Sequence, residues 1–420
     1  MFNTISMIGL GYIGLPTATL FASRKKRVIG VDVSEHAVNT INSGNIHIVE
    51  PELDILVQAT VHEGYLRATL EPEPADAFLI AVPTPFVDGF KPDLSYIEAA
   101  AKSIAPVLKK GNLVILESTS PVGATEQMAT WLAAQRPDLT FPQQEGEGAD
   151  IQIAHCPERV LPGKVVHELV VNDRVIGGMT RKASEMACAL YKTFVQGECI
   201  ITDARTAEMC KLTENSFRDV NIAFANELSM ICGKLNINVW ELIALANRHP
   251  RVNILQPGAG VGGHCIAVDP WFIVDSAPDE ARLIHMARQV NDHKPEWVLL
   301  KTKAAVADVL AKNPNRTIGD VTVACLGLAF KPDIDDLRES PAVEICLQLG
   351  QLGCKVLSVE PNIEELPAKL SSRTTKLSSL GSALEQADVV CVLVKHSAFL
   401  VSVDDIKLCP NIIDAVGLLA

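Results

Sequence analysis

Short apolar runs that end in polar residues recur along the first third of the chain. They lie at residues 4–8, 27–33, 76–85 and 112–123. Each run is apolar almost throughout, which is typical of parallel β-strands covered by helices on both faces. Ligands of such sheets bind at the carboxyl ends of the strands. The polar residues at those ends are Thr84, Ser118 and Thr119.

The middle of the chain has a helical pattern. Between residues 203 and 310 the apolar positions follow long helical repeats, and the segment 205–235 has almost no helix breakers. A long helix between two α/β segments commonly serves as a connector and a packing surface. We therefore expect this helix to carry a dimer interface.

A strand pattern returns from Val321 onward. Residues 387–397 (ADVVCVLVKHS) follow the same pattern as residues 75–85 (ADAFLIAVPTP), an Ala-Asp pair before an apolar strand and a polar stop. This internal repeat predicts an α/β fold with two Rossmann-like doubly wound domains joined by a central helical domain. The predicted domains are residues 1–202, 203–310 and 311–420. Within the last domain we expect strands at 321–332, 354–361 and 387–397 and a helix at 341–352.

A glycine fingerprint follows the first predicted strand. Gly9, Gly11 and Gly14 form G-x-G-x-x-G before a predicted helix, and Asp32 ends the next strand 18 residues after Gly14. In a dinucleotide-binding βαβ unit the first two glycines allow a tight turn close to the pyrophosphate, and the third allows close helix packing. Asp32 favours NAD over NADP because its charge would repel a 2′-phosphate. A glycine-rich turn of another α/β protein is the alternative.

Length and composition exclude several classes of protein. A chain of 420 residues predicts two or three domains of about 100–200 residues each. With 48% hydrophobic and 21% charged residues it is a soluble globular protein. The net charge of −13 argues against nucleic acid or an anionic membrane as a partner. An anionic ligand therefore requires a local basic cluster.

Cysteine usage indicates a reducing compartment. The eleven cysteines include no C-x-x-C pair, so we expect neither a disulfide framework nor a zinc or other metal site. No apolar run approaches the roughly 20 residues of a membrane span, and the apolar N-terminus lacks the basic start of a signal peptide. A cytoplasmic location is the expectation.

One cysteine lies in a glycine-rich segment. The sequence GAGVGGHCIAVDP at 258–270 places four glycines before Cys265 and Asp269 four residues after it. A thiolate can trap an aldehyde as a thiohemiacetal, lose a second hydride to give a thioester, and release a carboxylate with water. Such a four-electron oxidation uses two NAD in turn. The segment alone fits equally well with a turn containing a small apolar residue.

Polar groups on the long helix could support that chemistry. Lys211, Asn215 and Arg218 are spaced by four and three residues and therefore share one helix face. A lysine and an amide suit the stabilisation of a developing alkoxide. A solvated helix face is the alternative reading. Asp269 could orient a water molecule or the lysine, or it could cap a helix.

Basic residues cluster before the cysteine segment. Arg248, His249 and Arg251 lead towards it, and Glu158 and Arg159 occur in the segment 155–163. In an acidic protein this density indicates an anionic substrate such as a diphosphate. Glu158 is a candidate base for the hydrolytic water. Further along the chain, Lys331 at a strand end suits a phosphate.

Together these motifs resemble the UDP-glucose/GDP-mannose dehydrogenase family. The resemblance covers essentially the whole chain, because GLGYIGLP, AVPTP, ESTSPVG, CPERVLPG, EMCKLTENSFRDVNIAFANE, GVGGHCIAVDP and FKPDIDDLRESP occur in the family's order. The residues around Cys265, with NRHPRVNI before them, resemble the branch that acts on UDP-N-acetylhexosamines. The resemblance implies oxidation of such a sugar at C6, N-acetylmannosamine foremost, to a uronate for surface polysaccharide.

The resemblance also implies roles for individual residues. Cys265 would be the nucleophile, Lys211 the acid/base and oxyanion partner and Asn215 its helper, while Glu158, Thr119 and Asp269 would handle water and protons. NAD would be held by Gly9, Gly11, Tyr12, Ile13, Gly14, Asp32, Thr84, Thr125 and Arg338. The UDP-sugar would contact Lys211, Asn215, Arg159, Val160, Arg218, His249, Arg251, Gly262, Phe330 and Lys331. The last domain would take the uridine diphosphate, and members of the family are homodimers through the central helix.

Two positions depart from the family pattern. Ala259 stands where the family usually has proline, which should loosen the loop slightly without changing its glycines. Val416 stands where relatives usually have a basic residue, so a substrate contact from the C-terminal end is not expected.

Other functions are consistent with parts of the pattern. UDP-N-acetylglucosamine or UDP-glucose could be the substrate. A two-electron hydroxyacid dehydrogenase of similar domain plan would give Cys265 no role. A non-catalytic NAD-binding scaffold or sensor is disfavoured because Cys265, Lys211 and Asn215 are all present.

Overall fold

The computed structural model describes residues 2–87, 89–161, 163–263 and 265–420. The chain divides into two compact units, residues 1–214 and residues 215–420. Both contain parallel sheets covered by helices, as the apolar runs predict. Across the described ranges, no helix combines the length and apolar character that crossing a bilayer requires.

The first unit is built on an eight-stranded sheet with the order β10-β9-β8-β7-β4-β1-β2-β3. Adjacent strands in this sheet are parallel, except that β8 and β9 are antiparallel. Two short strands, β5 and β6, form a separate hairpin. The strands are β1 (Thr4–Ile8), β2 (Arg27–Val31), β3 (Leu66–Thr69), β4 (Ala77–Ile80), β5 (Phe86–Val87), β6 (Lys91–Pro92), β7 (Leu113–Leu116), β8 (Gln152–His155), β9 (Arg174–Gly178) and β10 (Cys199–Asp203).

Helices cover both faces of this sheet. One hydrophobic core lies under α1, α3, α7 and α8, and a second lies under α4 and α5 on the opposite face. The unit is therefore doubly wound. Its helices are α1 (Gly14–Ser23), α2 (Glu35–Asn42), α3 (Leu53–His62), α4 (Ser95–Ile104), α5 (Ala124–Gln135), α6 (Pro142–Glu145), α7 (Val165–Val171) and α8 (Arg181–Tyr191).

The second unit has a smaller sheet with the order β13-β12-β11-β14-β15, all parallel. Its strands are β11 (Thr322–Leu326), β12 (Lys355–Val359), β13 (Thr375–Leu377), β14 (Val389–Val392) and β15 (Ile412–Asp414). One face packs on α12 and α13 and the other on the three helices near the C-terminus. This unit is also doubly wound.

Two long helices precede that sheet. The predicted long helix is α9 (Ala204–Leu235), which runs from the first unit into the second, and α12 (Arg282–Lys312) continues through Pro295. The other helices of the second unit are α10 (Val239–Ala246), α11 (Asp269–Ser276), α13 (Pro341–Leu352), α14 (Leu380–Gln386), α15 (Ser397–Leu400) and α16 (Val403–Lys407).

The internal repeat predicted from the sequence is confirmed by the topology. In chain order, and without the β5–β6 hairpin, the first five strands of each sheet follow the arrangement 3-2-1-4-5. The order reverses between β1 and β4 in one unit and between β11 and β14 in the other. Ligands of doubly wound sheets bind at that reversal, outside the carboxyl ends of the strands.

Candidate active site

The glycine fingerprint forms the turn between β1 and α1. Gly9 has φ +89°, and a Cβ there would lie 2.4 Å from the carbonyl oxygen of Ala81. A Cβ at Gly14 would lie 1.8 Å from the carbonyl oxygen of Gly9, so this glycine allows the helix to start against the strand. At Gly11 no atom lies within 4 Å of such a Cβ. The turn thus leaves open space at the N-terminus of α1, where phosphate groups bind.

Asp32 follows β2 beside this turn and is half-buried. Its two carboxylate oxygens accept the N–H groups of Leu10 and Ser34, both at 2.9 Å. Tyr12 is 44% exposed and Ile13 is half-buried on the same turn. The open space at Gly11 and the acid at the end of β2 fit the pyrophosphate and ribose of a dinucleotide.

Hydroxyl groups join the carboxyl ends of β4 and β7. The Ser118 hydroxyl donates to the carbonyl of Val82 at 2.7 Å and accepts the N–H of Val82 at 2.9 Å. Thr84 donates to the carbonyl of Thr119. These predicted polar stops therefore lie side by side at the ligand-binding edge of the sheet.

Thr125 lies in the first turn of α5 and is fully buried. Its hydroxyl donates to the Glu208 carboxylate at 2.6 Å, and the N–H groups of Gly123 and Thr125 donate to the same carboxylate. Burial raises the pKa of Glu208, against the effect of these hydrogen bonds. The sequence analysis did not identify Glu208. Its place three residues before Lys211, on the same helix face, is the signal that could have found it.

Lys211 and Glu158 meet in the first unit. The Lys211 Nζ lies 3.7 Å from a Glu158 oxygen, and the two side chains are 8% and 12% exposed. The other Glu158 oxygen accepts the N–H of Val160. Arg159 pairs with Glu214 at 2.7 Å. The buried lysine and carboxylate form a pair suited to proton transfer in a partly dehydrated site.

A buried cluster that the sequence analysis did not identify lies behind Glu158. Tyr191 donates to Glu117 at 2.5 Å, and the Arg174 guanidinium lies 5.1 Å from the Tyr191 ring. Burial raises the pKa of Glu117 to about 7, and the charge of Arg174 opposes the rise. Burial also raises the pKa of the neighbouring Cys156 thiol to about 12. Cys156 therefore stays protonated and packs in the core.

Cys265 and Asp269 are held together in the second unit. Cys265 is exposed, and its carbonyl accepts the N–H groups of Val268 and Asp269 at 3.1 and 2.9 Å. Asp269 begins α11, and one carboxylate oxygen accepts the Asn215 amide N–H at 2.5 Å. Asn215 and Asp269 are buried. His264, which precedes Cys265, lies outside the described residues.

The backbone before Cys265 packs too closely for side chains. A Cβ at Gly262 would lie 2.5 Å from the carbonyl oxygen of Glu339 and 2.9 Å from the Phe330 Cβ. Gly263 has φ +81°, and its Cβ would lie 3.0 Å from the Phe330 ring. Gly262 and Gly263 therefore allow this loop to pack closely against Phe330 and the Glu339 carbonyl.

A buried polar network holds the start of the same loop. The Gly258 N–H donates to Asn226, which donates to Asn291 at 2.9 Å. Asn291 donates to Asp219 at 2.8 Å, and Asp219 pairs with Arg288 at 2.6 Å. Burial raises the pKa of Asp219, and Arg288 opposes the rise. The sequence analysis missed this network because its members are spread over α9 and α12.

The predicted basic cluster lies on one exposed loop. Asn247 closes the loop by bonding the backbone of Ile254 through both its amide oxygen and its amide nitrogen. Arg248, His249 and Arg251 are exposed between them, and His249 Nδ1 accepts the Arg251 N–H at 3.3 Å. The loop presents three basic groups to solvent.

Three further predicted contacts are exposed. Arg218 lies beyond Asn215 on α9, and Lys331 follows Phe330. Arg338 is 55% exposed and pairs with Asp336 at 2.6 Å. Arg218 and Lys331 therefore present their charges on the surface, while Arg338 is paired with a carboxylate.

Both departures from the family pattern are packing residues. Ala259 is 6% exposed, within the core under α12 and α13. Val416 is half-buried against the same core, and its N–H donates to Asp414 at 3.1 Å.

The chain matches three domains of one known family. Residues 3–195 match the NAD binding domain of the UDP-glucose/GDP-mannose dehydrogenase family, residues 205–293 its central domain and residues 324–419 its UDP binding domain. The matches follow the order of the three predicted domains, whose exact borders remain a prediction.

Individual relatives match over nearly the whole chain. A UDP-N-acetyl-D-mannosamine dehydrogenase of Yersinia pestis is 67% identical, covering 97% of each chain. An NDP-N-acetyl-D-galactosaminuronic acid dehydrogenase of Ralstonia nicotianae is 67% identical, covering 95% of this chain and 92% of the relative. The structure of a UDP-D-ManNAc dehydrogenase from Pyrococcus horikoshii superposes with a TM-score of 0.86 at 39% identity, covering 99% of this chain and 96% of that one.

Proposed function

Because the chain belongs to the UDP-glucose/GDP-mannose dehydrogenase family, we propose that it oxidises the C6 alcohol of UDP-N-acetyl-D-mannosamine to a carboxylate. The observation that carries the proposal is the exposed Cys265, held in a glycine loop beside the Asn215–Asp269 pair. A thiol there allows oxidation beyond the aldehyde. The names of relatives such as that from Yersinia pestis support the choice of sugar.

The first unit would hold the cofactor. Bound NAD supplies a two-electron acceptor for each of the two oxidations. The residues that we assign to it are Gly9, Gly11, Tyr12, Ile13, Gly14, Asp32, Thr84 and Thr125, with Arg338 from the second unit. Thr125 would contact the cofactor through its helix turn, since its hydroxyl is bonded to Glu208.

We assign the alcohol oxidation to Lys211 and Asn215. As hydride leaves the carbon, the C6 hydroxyl gives its proton to Lys211, which passes one of its own protons to Glu158 and, as an ammonium, stabilises the developing alkoxide. Glu158, 3.7 Å away, holds the lysine and can receive a proton from it. The Asn215 amide gives one N–H to Asp269 and would give the other to the sugar oxygen.

Cys265 would carry the second oxidation. Its thiolate forms a C–S bond with the aldehyde carbon, and the thiohemiacetal becomes a thioester when hydride leaves. Water then attacks the acyl carbon and the C–S bond breaks, which returns the thiolate and releases the uronate. Glu158, Asp269 and Thr119 are the groups that we assign to this water and its protons.

Substrate binding would use the exposed cations. The diphosphate needs local positive charge in a chain of net charge −13. We propose that the diphosphate and the sugar contact Arg159, Val160, Lys211, Asn215, Arg218, His249, Arg251, Gly262, Phe330 and Lys331.

The stoichiometry of the reaction tests the proposal. Purified protein with UDP-N-acetyl-D-mannosamine should form two NADH per sugar and one uronate. Cys265→Ser should abolish uronate formation and still bind NAD, whereas Cys156→Ser, in the buried core, should retain the second oxidation. One NADH per sugar, or uronate from Cys265→Ser at the wild-type rate, would show that the thioester mechanism is wrong.

The sugar itself has a second candidate. The Ralstonia nicotianae relative, also 67% identical, is named for an N-acetylgalactosaminuronic acid, so UDP-N-acetylgalactosamine, whose C6 alcohol would be oxidised to that acid, joins UDP-N-acetylglucosamine and UDP-glucose as an alternative substrate. Side-by-side kcat/KM values for the four UDP-sugars decide among them. We expect the N-acetylmannosamine derivative to be highest.

We also infer a homodimer through α9. Phe217, Phe224 and Ile231 are spaced by seven residues and are 68%, 54% and 44% exposed. This heptad stripe suits packing against the same helix of a second copy. Phe224→Lys should give monomers in light scattering, and Val401→Lys, at another exposed apolar position, should not. A dimeric Phe224→Lys variant would exclude this interface.

A cytoplasmic location fits the thiols. All eleven cysteines are free thiols in the structure, and a reducing compartment keeps thiols in that state. Cell fractionation tests this.

A further inference from the structure

His396 is a fully buried histidine in the second unit. Its Nδ1 accepts the backbone N–H of Asp333 at 3.0 Å, and the Asn362 amide lies 3.3 Å from the same atom. Because an amide N–H can only donate, Nδ1 carries no proton. The proton of the neutral ring is therefore on Nε2, which lies 2.9 Å from a Glu360 oxygen and donates to it.

Glu360 and Asp333 fix the two ends of one loop. Glu360 accepts the N–H groups of Leu328 and Ala329 at 2.7 and 3.0 Å. Burial acts to raise the pKa of Glu360, but the hydrogen bonds from His396 and the two amides outweigh it and the pKa is lowered. Asp333 is in the left-handed region with φ +60°, and its carboxylate accepts the Ser397 N–H and hydroxyl at 2.8 and 2.6 Å.

Phe330 lies between these two ends. Its Cβ lies 2.9 Å from the position of a Cβ on Gly262, where the Glu339 carbonyl oxygen is closer still at 2.5 Å, and its ring lies 3.0 Å from the position of a Cβ on Gly263, two residues before Cys265. A continuous set of contacts thus leads from His396 through the loop to Phe330 and the glycines that precede Cys265. All of these residues belong to the second unit.

We propose that His396 is a positioning residue for the Cys265 loop and the Phe330–Lys331 substrate contacts. It joins Glu360 to Asp333 and so sets the path of residues 328–333, on which Phe330 supports the glycines before Cys265. The effect on catalysis rests on the proposed function. The effect on the reactivity of the Cys265 thiol is independent of the proposed function.

Two amide variants separate the two hydrogen bonds. His396→Asn keeps an acceptor for the Asp333 N–H but does not reach Glu360, and His396→Gln keeps a donor to Glu360 but leaves the Asp333 N–H without its acceptor. Each should raise KM for the UDP-sugar roughly tenfold, the effect of one buried hydrogen bond on a binding equilibrium. KM for NAD should not change. Ser397→Ala, a milder exposed change at the same loop, should act in the same direction.

The alkylation rate of Cys265 by iodoacetamide, followed by peptide mass spectrometry, reports on the loop without any turnover. We expect the His396 variants to change it by roughly threefold or more, about 0.6 kcal/mol. Val356→Ala, a core truncation on β12, should lower stability and leave that rate unchanged. Rates within twofold of wild type in both His396 variants would overturn the proposal. If the wild type oxidises no UDP-sugar, the proposed function fails and the alkylation rates still decide the role of His396.

Discussion

Lys294 is a buried cation on α12, with 1% of its surface exposed. Its Nζ donates to the Ser229 hydroxyl and lies 4.1 Å from the centre of the Trp297 ring. In the described part of the chain no carboxylate pairs with it, although Asp414 lines the same cavity of about 300 Å³. Burial lowers the pKa of Lys294 to about 7. The charged form of Lys294 therefore destabilises the folded protein relative to the unfolded chain.

The pH dependence of the free energy of unfolding should reveal this destabilisation. Between pH 7 and 10.5 Lys294 is protonated in the unfolded chain but has lost its proton in the folded protein. The contribution of Lys294 to the free energy of unfolding therefore rises with pH across that window and is constant below it. Lys294→Met should be more stable than wild type by a few kcal/mol at pH 7, since each unit of pKa shift is about 1.4 kcal/mol. The difference should shrink towards pH 10.

Urea unfolding under reducing conditions at pH 7, 8.5 and 10 measures this effect. Lys301→Met is the matched control, because Lys301 lies over the same Trp297 ring but is exposed. It should show no pH-dependent gain. An equal gain in both variants would mean that burial of the Lys294 charge is not the cause.

Residue types alone do not reveal which of two cysteines is exposed. Both Cys156 and Cys265 lie in family motifs, but in the structure Cys156 is completely buried and Cys265 is exposed. The partners of Lys211 and Asn215 were harder to predict, because Glu158 and Asp269 are distant in sequence and meet them only in the fold. Nothing in a single sequence marks a carboxylate as buried, so Glu117 was missed, and Glu208 could have been found only by the helix face that it shares with Lys211.

At the scale of elements, apolar runs with clear breakers were predicted well. The helix at 341–352 coincides with α13, and the strand at 4–8 coincides with β1. Strands β8, β9 and β10 were not predicted, because polar residues and glycines interrupt their short apolar runs. Pro295, within α12, interrupts the helical signal although the helix continues.

Two of the three glycines in the β1–α1 turn, Gly11 and Gly14, should respond differently to substitution by alanine. In Gly14→Ala the new Cβ meets the Gly9 carbonyl at 1.8 Å, so α1 must move and both the melting temperature and NAD affinity should fall. In Gly11→Ala the Cβ meets nothing within 4 Å, so the melting temperature should stay near wild type. Only the space for the pyrophosphate is lost.

Thermal unfolding and calorimetric titration with NAD measure both properties. We expect Gly11→Ala to weaken NAD binding about tenfold or more, as expected when a favourable contact of about 1.4 kcal/mol is lost. Wild-type affinity in Gly11→Ala would mean that the pyrophosphate does not approach this turn. Glycine at position 11 would then have no binding role.

At the scale of the whole molecule, the repeated fold does not imply a repeated cofactor site. Gly327 matches Gly9 in position and in backbone conformation, with φ +91° against +89°, and a Cβ at either glycine would lie 2.4 Å from a neighbouring atom. Glu360 follows β12 as Asp32 follows β2, yet it is buried and accepts hydrogen bonds from two amides and His396. Asp32 is half-buried at an open turn. A ribose could therefore reach Asp32 but not Glu360.

The chain should accordingly bind one NAD, through the first unit. Calorimetric titration without UDP-sugar should reach one NAD per chain. Asp32→Asn should weaken that binding about tenfold or more, since hydrogen bonds to a charged group contribute about 1.5–3 kcal/mol, and should reduce the preference for NAD over NADP because the repulsion of the 2′-phosphate is removed. Two NAD per chain, or one tight site left in Asp32→Asn, would place a dinucleotide in the second unit. In that case the burial of Glu360 would not exclude a ribose, and the difference between the two sheets would need another cause.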